Sequence, residues 1–123
     1  MQQEQGLTES GFVNLSTRQT GNATIVDVNG DITLYNAPQL RAMLVEQLKD
    51  KHAPRLIINL SQVKYIDSAG VASLVEGLKL SRELKTGFAL FGLQRSPRQV
   101  LELTHLVKVF SIFETEPEAL AAQ

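Results

Sequence analysis

One serine stands out by its position among the few residues that could carry chemistry. Ser68 lies in the tetrapeptide Asp67-Ser68-Ala69-Gly70, soon after an apolar stretch. A hydrolase nucleophile elbow has the pattern G-x-S-x-G, but the residues from Lys64 to Asp67 include no glycine. No acid–base pair that would activate the hydroxyl can be identified, so nucleophilic catalysis is not expected. Asp67 and Ser68 are also good helix N-cap residues, and capping is the alternative interpretation of the motif.

Other kinds of catalytic or cofactor site have no support in the sequence. The chain has no cysteine, which excludes disulfides, thiolate zinc sites and cysteine nucleophiles. The histidines, His52 and His105, are far apart and have no metal-ligand spacing, and neither glycine-rich phosphate fingerprint is present. A receiver-type phosphoacceptor site would need clustered acids after its first strand, whereas Asp31 is isolated. The sequence therefore predicts no enzyme, no cofactor and no metal.

Length and charge indicate one globular domain. The chain has 123 residues, of which 43% are apolar and 20% charged, and its net charge of -1 gives no basic excess for nucleic-acid binding. No apolar run approaches the roughly 20 residues that span a bilayer. Residues 1–10 are polar and lack the features of a secretory signal. We therefore expect a flexible leader over 1–10, one domain over 11–123 and a cytoplasmic location.

The N-terminal half is predicted to contain a hairpin and a helix. Alternation over Phe12–Arg18 predicts a half-buried strand, and Ala23–Val28 pairs with it across the turn at Gly21. Asn36 and Gln39 have the spacing of a capping box for the first helix. The residues that share one face of this helix are Ala37, Leu40, Leu44 and Leu48.

The second half alternates strands with helices. Arg55–Leu60 and Phe88–Leu93 read as central strands, and a helix over Ser68–Lys85, stopped by Gly87, lies between them. Ser96-Pro97-Arg98-Gln99 predicts the start of the next helix. The apolar residues of that helix are Val100, Leu101, Leu103, Leu106 and Val107. A strand over Phe110–Phe113 and a short helix from Thr115 follow.

This order, β-β-α-β-α-β-α-β-α, is typical of an α/β fold. It predicts a mixed, mostly parallel sheet with an N-terminal antiparallel edge hairpin and helices packed on the sheet. Ser68 would then lie where a buried strand passes to a helix, at the carboxyl edge of the sheet. Ligands and partners meet open α/β sheets at that edge.

Two segments resemble the STAS-domain family, the anti-sigma-factor antagonists. The stretch Leu56–Val71 resembles the family's apolar strand ending in Asn-Leu, short loop and D-S-[ST]-G-[LV] motif. Gly30-Asp31-Ile32-Thr33 together with Asn36–Leu40 resembles the family's G-E-L-D…N-A…L segment. The element order also matches the family's fold, so the resemblance covers about residues 11 to 120.

The resemblance implies a regulatory binding module that is not an enzyme. Such a domain binds a serine kinase that is also an anti-sigma factor, and so frees the sigma factor. The kinase phosphorylates the serine of the motif, here Ser68, and a PP2C-type phosphatase reverses this. The resemblance implies a partner surface around that serine. The residues expected in it are Thr33, Tyr35, Asn36, Asp67, Ala69, Gly70 and Val71.

Two positions depart from the family pattern, and several interpretations stay open. Ala69 stands where Ser or Thr is usual, and Thr33 stands where the family has Asp. The alternative function is a non-switching STAS scaffold subunit of a stress-signalling or transport complex. Gly70 would either allow close approach of a partner or only close packing within the chain, and Tyr35 is either an interface anchor or a partly buried core residue. We expect a monomer or a weak homodimer.

Overall fold

A computed structural model describes residues 13–122, and the predicted leader over 1–10 lies outside them. The strands are β1 (Asn14–Thr20), β2 (Ala23–Asn29), β3 (Arg55–Gln62), β4 (Gly87–Phe91) and β5 (Ser111–Phe113). The α-helices are α1 (Ala37–Val45), α2 (Ser68–Glu83), α3 (Arg95–Leu103) and α4 (Glu116–Ala121). A π-helical turn, Glu46–Asp50, continues α1.

The strands form a single mixed sheet in the order β1-β2-β3-β4-β5. β1 and β2 pair antiparallel, and the other neighbours pair parallel. The central strand β3 is buried on both faces, as its continuous apolar run predicts, and Leu56, Ile57 and Ile58 have no solvent exposure. The predicted fold class and the edge hairpin are confirmed.

The two faces of the sheet carry separate apolar clusters. Even-numbered residues of β3, such as Leu56 and Ile58, pack with α1, α2 and α3 in the larger cluster. Ile57 points to the other face, where Ala119 of α4 covers it. The predicted apolar face of the first helix is confirmed, because Ala37, Leu40, Leu44 and Leu48 are all buried.

The predicted capping box of α1 is wrong. Asn36 occupies the N-cap position but makes no capping hydrogen bond with its side chain. Its side-chain oxygen accepts from the Thr33 N–H, which lies before the helix, at 2.9 Å. Gln39 donates to the Val13 carbonyl at 3.1 Å and so ties α1 to the residue before β1. Both side chains that the local pattern assigned to the cap therefore form hydrogen bonds with groups outside the helix.

Other boundaries differ from the prediction for local reasons. Helix α2 ends at Glu83, before the predicted end at Lys85, and Lys85 instead of Gly87 adopts the left-handed conformation (φ 60). Helix α3 begins at Arg95 with Gln94 as its N-cap, so Ser96 lies inside the first turn instead of capping it. Leu103, one of the apolar residues of the predicted helix, is 80% exposed. β1 is more exposed than its alternation predicts, with only Leu15 and Thr20 partly buried; Phe12 lies outside the described residues.

Candidate functional site

Ser68 is the first residue of α2 and its side chain lies at the surface. The loop 63–67 connects β3 to α2, and its last residue, Asp67, adopts an extended conformation (φ -100, ψ -176) before the helix begins. Ser68 is exposed, whereas Gly70 and Val71 of the same helical turn are buried. The hydroxyl therefore stands at the positive end of a 16-residue helix, within reach of another molecule.

Asp67 supplies the cap of this helix. One carboxylate oxygen, Oδ1, accepts the Gly70 N–H at 3.0 Å, and the other, Oδ2, accepts the Leu34 N–H at 2.8 Å. The first bond satisfies an otherwise unpaired donor of the first helical turn. The second reaches across to the loop before α1, so one side chain fixes the helix start and the neighbouring loop together.

Asp31 makes the reciprocal connection. Its Oδ1 accepts the N–H groups of Lys64 and Tyr65, each at 3.2 Å. Each loop thus contributes one carboxylate that binds backbone donors of the other loop. We call this pair, Asp31 and Asp67, the carboxylate clasp. A parallel bridge between Ile32 and Ile66 lies between its two halves.

The loop before α1 is a tight turn that presents two large apolar side chains. Asn36, only 3% exposed, holds the turn by accepting from Thr33 N–H and by donating to the Asp31 carbonyl at 2.9 Å. The Thr33 hydroxyl oxygen accepts the Tyr35 N–H at 3.3 Å. Leu34 is 67% and Tyr35 81% exposed. Tyr35 is therefore a surface residue, and the core interpretation of this tyrosine is wrong.

The residues that follow Ser68 shape the helix start from inside. A Cβ at Gly70 would lie 2.6 Å from Ile66 Cγ1 and 2.8 Å from Ile32 Cγ2, so packing within the chain by itself requires glycine here. Val71 is buried in the main cluster. Ala69 is half-buried, and its carbonyl accepts from the Ser73 hydroxyl at 3.2 Å.

A groove of about 410 Å³ lies beside Ser68, between the start of α2 and the end of α3. Its lining residues are Tyr65, Ile66, Asp67, Ser68, Val71, Val100 and Thr104. The prediction from sequence missed Leu34 and Tyr65, although large apolar residues in loops are a usable signal. It also missed Val100 and Thr104, whose placement next to Ser68 depends on how α3 packs.

The groups with clearly shifted pKa values lie away from Ser68, on the second face of the sheet. Hydrogen bonds from Arg18 are the main cause that lowers the pKa of Asp27 and of Glu116 below their usual values. Arg18 Nε donates to Asp27 Oδ2 at 2.6 Å, and Nη2 donates to Glu116 Oε1 at 2.7 Å. The same bonds raise the pKa of Arg18. This network ties α4 to the sheet.

Within residues 13–122, no group of three or more His, Asp and Glu side chains could hold a metal ion. In that part of the chain, no helix combines the length and apolar character needed to cross a bilayer. The fold and the surroundings of Ser68 thus define a small α/β domain that presents an exposed serine beside two loops joined by hydrogen bonds.

Comparison with known proteins gives the family of this domain. Residues 14–119 match the STAS domain family, and the chain belongs to it. An anti-sigma-B factor antagonist of Listeria monocytogenes is 32% identical over 107 residues, covering 86% of this chain and 91% of the relative. The anti-sigma-B factor antagonist of Bacillus subtilis is 30% identical over 100 residues, covering 81% and 90%. The crystal structure of an anti-sigma factor antagonist from Mycobacterium paratuberculosis superposes with a TM-score of 0.81 at 28% identity, covering 90% and 93%.

Proposed function

We propose that this protein is a cytoplasmic anti-sigma factor antagonist, a binding module without enzymatic activity of its own. The main support is the exposed position of Ser68 at the start of α2, between two clasped loops that present Leu34, Tyr35 and Tyr65. The relatives that cover most of the chain at 30% identity or more carry this function in their names. The partner is an anti-sigma factor that binds at this surface.

The proposed switch is reversible phosphorylation of Ser68 by a partner that is also a serine kinase. The γ-phosphoryl group of ATP passes to the Ser68 oxygen, the hydroxyl proton is released and ADP leaves. A PP2C-type phosphatase hydrolyses the ester. The modification adds about -1.5 to -2 charges at the centre of the surface. Burying that charge against a partner can cost about 3 kcal/mol, which lowers affinity on the order of a hundredfold.

The two departures from the family pattern are compatible with this mechanism. The Thr33 hydroxyl oxygen accepts the Tyr35 N–H, a bond from residue i to residue i+2 that an aspartate side chain also forms in turns. Threonine therefore supports the same turn. Ala69 is half-buried and its carbonyl accepts from the Ser73 hydroxyl, whereas the hydroxyl of Ser68 at the preceding position is exposed.

Phosphate mapping with the cognate kinase and ATP tests the assignment. Trypsin releases Tyr65–Lys79, which holds both Ser68 and Ser73, so fragment-ion sequencing must place the phosphate. Titration calorimetry then compares Ser68→Asp with Ser111→Asp, a matched control at an exposed serine in β5. We expect one phosphate, on Ser68, and at least about tenfold weaker binding for Ser68→Asp alone. Phosphate on Ser61 or Ser73, with normal binding by Ser68→Asp, would reject the assignment.

The second candidate function is constitutive docking in a scaffold or transport complex. It uses the same helix face but needs no phosphate. Stable partner binding together with no phosphate incorporation from any kinase in the cell extract would support this function over the switch.

A further inference from the structure

We propose that the groove between α2 and α3 receives an apolar side chain of the anti-sigma factor. The interface then extends from Tyr35 across Ser68 to Thr104. This inference rests on the proposed function and specifies what part of the partner is recognised. Neither the motif around Ser68 nor the family resemblance places α3 in the binding surface.

The walls of the groove have the character of a side-chain pocket. Ile66 and Val71 form one side at the start of α2, and Val100 lies on the opposite side in α3. Tyr65, 49% exposed, is at the edge of this space. A volume of about 410 Å³ accommodates one or two large apolar side chains. Filling it removes apolar surface of both molecules from water, which is favourable.

The residues that line the groove provide poor partners for a charged ligand. Its lining includes no Lys, Arg or His, so a phosphate or an acidic peptide finds no cationic partner there. Its one carboxylate, Asp67, already accepts N–H groups of Leu34 and Gly70 with its two oxygens. An uncharged apolar group is therefore the occupant that complements the groove.

The surface around the groove has the same character. Among residues 13–122, six large apolar side chains are exposed, and Leu34, Tyr35 and Tyr65 belong to the two clasped loops. Leu103, 80% exposed, directly precedes Thr104 of the groove. Large exposed apolar side chains, on the loops and at the end of α3, are typical of a protein-binding site.

The position of Ser68 in the groove wall connects this contact with the switch. A phosphoryl group on Ser68 would add its charge and hydration at the mouth of the pocket. The apolar side chain of the partner would then have to be buried next to a dianion, and the groove lining supplies no cation. Phosphorylation thus opposes the contact in the groove directly, and no movement of the backbone is required.

Site-specific photocrosslinking in cells tests where the partner lies. Benzoylphenylalanine is placed, in the full chain, at Tyr35, at Thr104 or at Leu84. Leu84 follows the far end of α2, about 24 Å from Ser68 at 1.5 Å per residue, and serves as control. We expect Tyr35 and Thr104 to crosslink to the same anti-sigma factor, identified by mass spectrometry, and Leu84 to give no such product.

The other outcomes of the crosslinking experiment contradict either the groove contact or the proposed function. Crosslinking from Tyr35 alone overturns the groove contact and leaves the proposed function standing. Crosslinking from neither position overturns both. A product from Thr104 with a second copy of this chain shows that the groove has another occupant. Equal yields at Leu84 and Thr104 show that crosslinking does not depend on the groove, and they overturn the groove contact.

A pair of substitutions at Thr104 tests the apolar character. Thr104 is exposed, and both Thr104→Leu and Thr104→Lys lose the same hydroxyl bond to the Val100 carbonyl (2.8 Å). We expect Thr104→Lys to raise Kd for the crosslinked anti-sigma factor at least about tenfold and Thr104→Leu to change it less than about threefold. Leu84→Lys, the control for added charge, should leave Kd unchanged. Equal Kd values for the two Thr104 variants would overturn an apolar occupant.

Discussion

At the residue scale, the carboxylate clasp determines how the loops around Ser68 are held. Asp31 and Asp67 each accept backbone N–H groups from the opposite loop, and Asp67 also caps α2. Hydrogen bonds from N–H groups to ionised carboxylates are stronger than neutral ones. Together the two side chains fix exposed apolar residues that would otherwise lose binding energy to loop motion.

Removal of the Asp67 carboxylate should destabilise both the start of α2 and the loop before α1. Asp67→Ala leaves the N–H groups of Gly70 and Leu34 without these acceptors, and we expect a loss of about 1–2 kcal/mol in the free energy of unfolding. Urea denaturation followed by circular dichroism measures it. Asp50→Ala, at an exposed aspartate near the end of the π-helical turn, is the control. Amide exchange should accelerate at Leu34 in Asp67→Ala, and unchanged exchange there would contradict the clasp.

Gly70 should tolerate no side chain. A Cβ would lie 2.6 Å from Ile66 Cγ1, closer than atoms pack, and both neighbouring isoleucines belong to the core. We therefore expect Gly70→Ala to destabilise the domain by about 1–3 kcal/mol, even though alanine favours helix. Thermal unfolding measures the effect. The control is Ala72→Gly, at an exposed position of the same helix, which should cost about 1 kcal/mol through helix propensity alone.

Individual side-chain partners were the least predictable part of the site. The sequence pattern identifies Ser68 and Asp67 because they occur in a local motif. It cannot show that Asp31 binds the N–H groups of Lys64 and Tyr65, since those partners are more than 30 positions away. The same limit explains Asn36, whose side chain has the local spacing of a helix cap but serves the preceding turn.

At the element scale, the edge hairpin and α4 form a structural unit on the second face of the sheet. Arg18 of β1 bonds both Asp27 of β2 and Glu116 of α4. Arg55 of β3 donates to the Ala119 carbonyl near the end of α4 at 2.7 Å. A six-residue helix is too short to be stable alone, so these bonds and the burial of Ala119 hold it in place.

This network predicts a specific dependence of stability on acid. Hydrogen bonds from Arg18 lower the pKa of Asp27 and Glu116 in the folded chain, so the unfolded chain binds more protons at low pH. The contribution is therefore complete above the unfolded pKa near 4 and is lost as pH falls through the lower folded values. Arg18→Ala should lose about 1 kcal/mol at pH 7 and show a shallower decline below about pH 4.

Urea titrations at a series of pH values measure both effects. Arg41→Ala is the control, because Arg41 pairs with Glu76 at a more exposed site between α1 and α2. Arg41→Ala should leave the pH dependence of the free energy of unfolding below pH 4 closer to that of the parent protein. Parallel pH profiles for the parent chain and Arg18→Ala would contradict the assigned network.

Elements were predicted better than their ends. Continuous apolar runs identify the central strands β3 and β4, and apolar periodicity identifies α1 and α2, because burial dictates both patterns. The end of α3 could not be read in this way. Leu103 continues the apolar pattern, but the chain leaves the helix there, and Leu106 and Val107 reach the core from the following turns instead.

At the scale of the whole molecule, the charged network around Arg18 and the exposed Ser68 lie in different parts of the fold. The charged network and α4 cover the second face, whereas Ser68, the clasped loops and the groove lie at the edge where α1 and α2 begin. Ser68 is exposed, whereas the side chains that form the two apolar clusters are buried. This separation would allow the proposed phosphorylation of Ser68 to change the surface without unfolding the domain.

Two serines of one helix provide a direct test of that separation. Ser68 is exposed at the start of α2, and Ser81, in its last turn, is 1% exposed and donates to the Leu78 carbonyl at 2.7 Å. Ser68→Asp adds a negative charge where the helix dipole favours it, while the neighbouring Asp67 carboxylate opposes it. We expect the free energy of unfolding to change by less than about 1 kcal/mol. Ser81→Asp buries a carboxylate and should cost several kcal/mol.

Differential scanning calorimetry compares the two variants with the parent protein, and the same samples are titrated with the anti-sigma factor. Because the added charge at Ser68 lies at the exposed surface of the free domain, Ser68→Asp should combine a nearly unchanged Tm with weakened binding. Ser81→Asp should lower Tm strongly, and whatever fraction remains folded should bind with the parent affinity. A strong fall in Tm for Ser68→Asp would mean that the charge acts on the fold, and the switch would then operate by unfolding instead of at the interface.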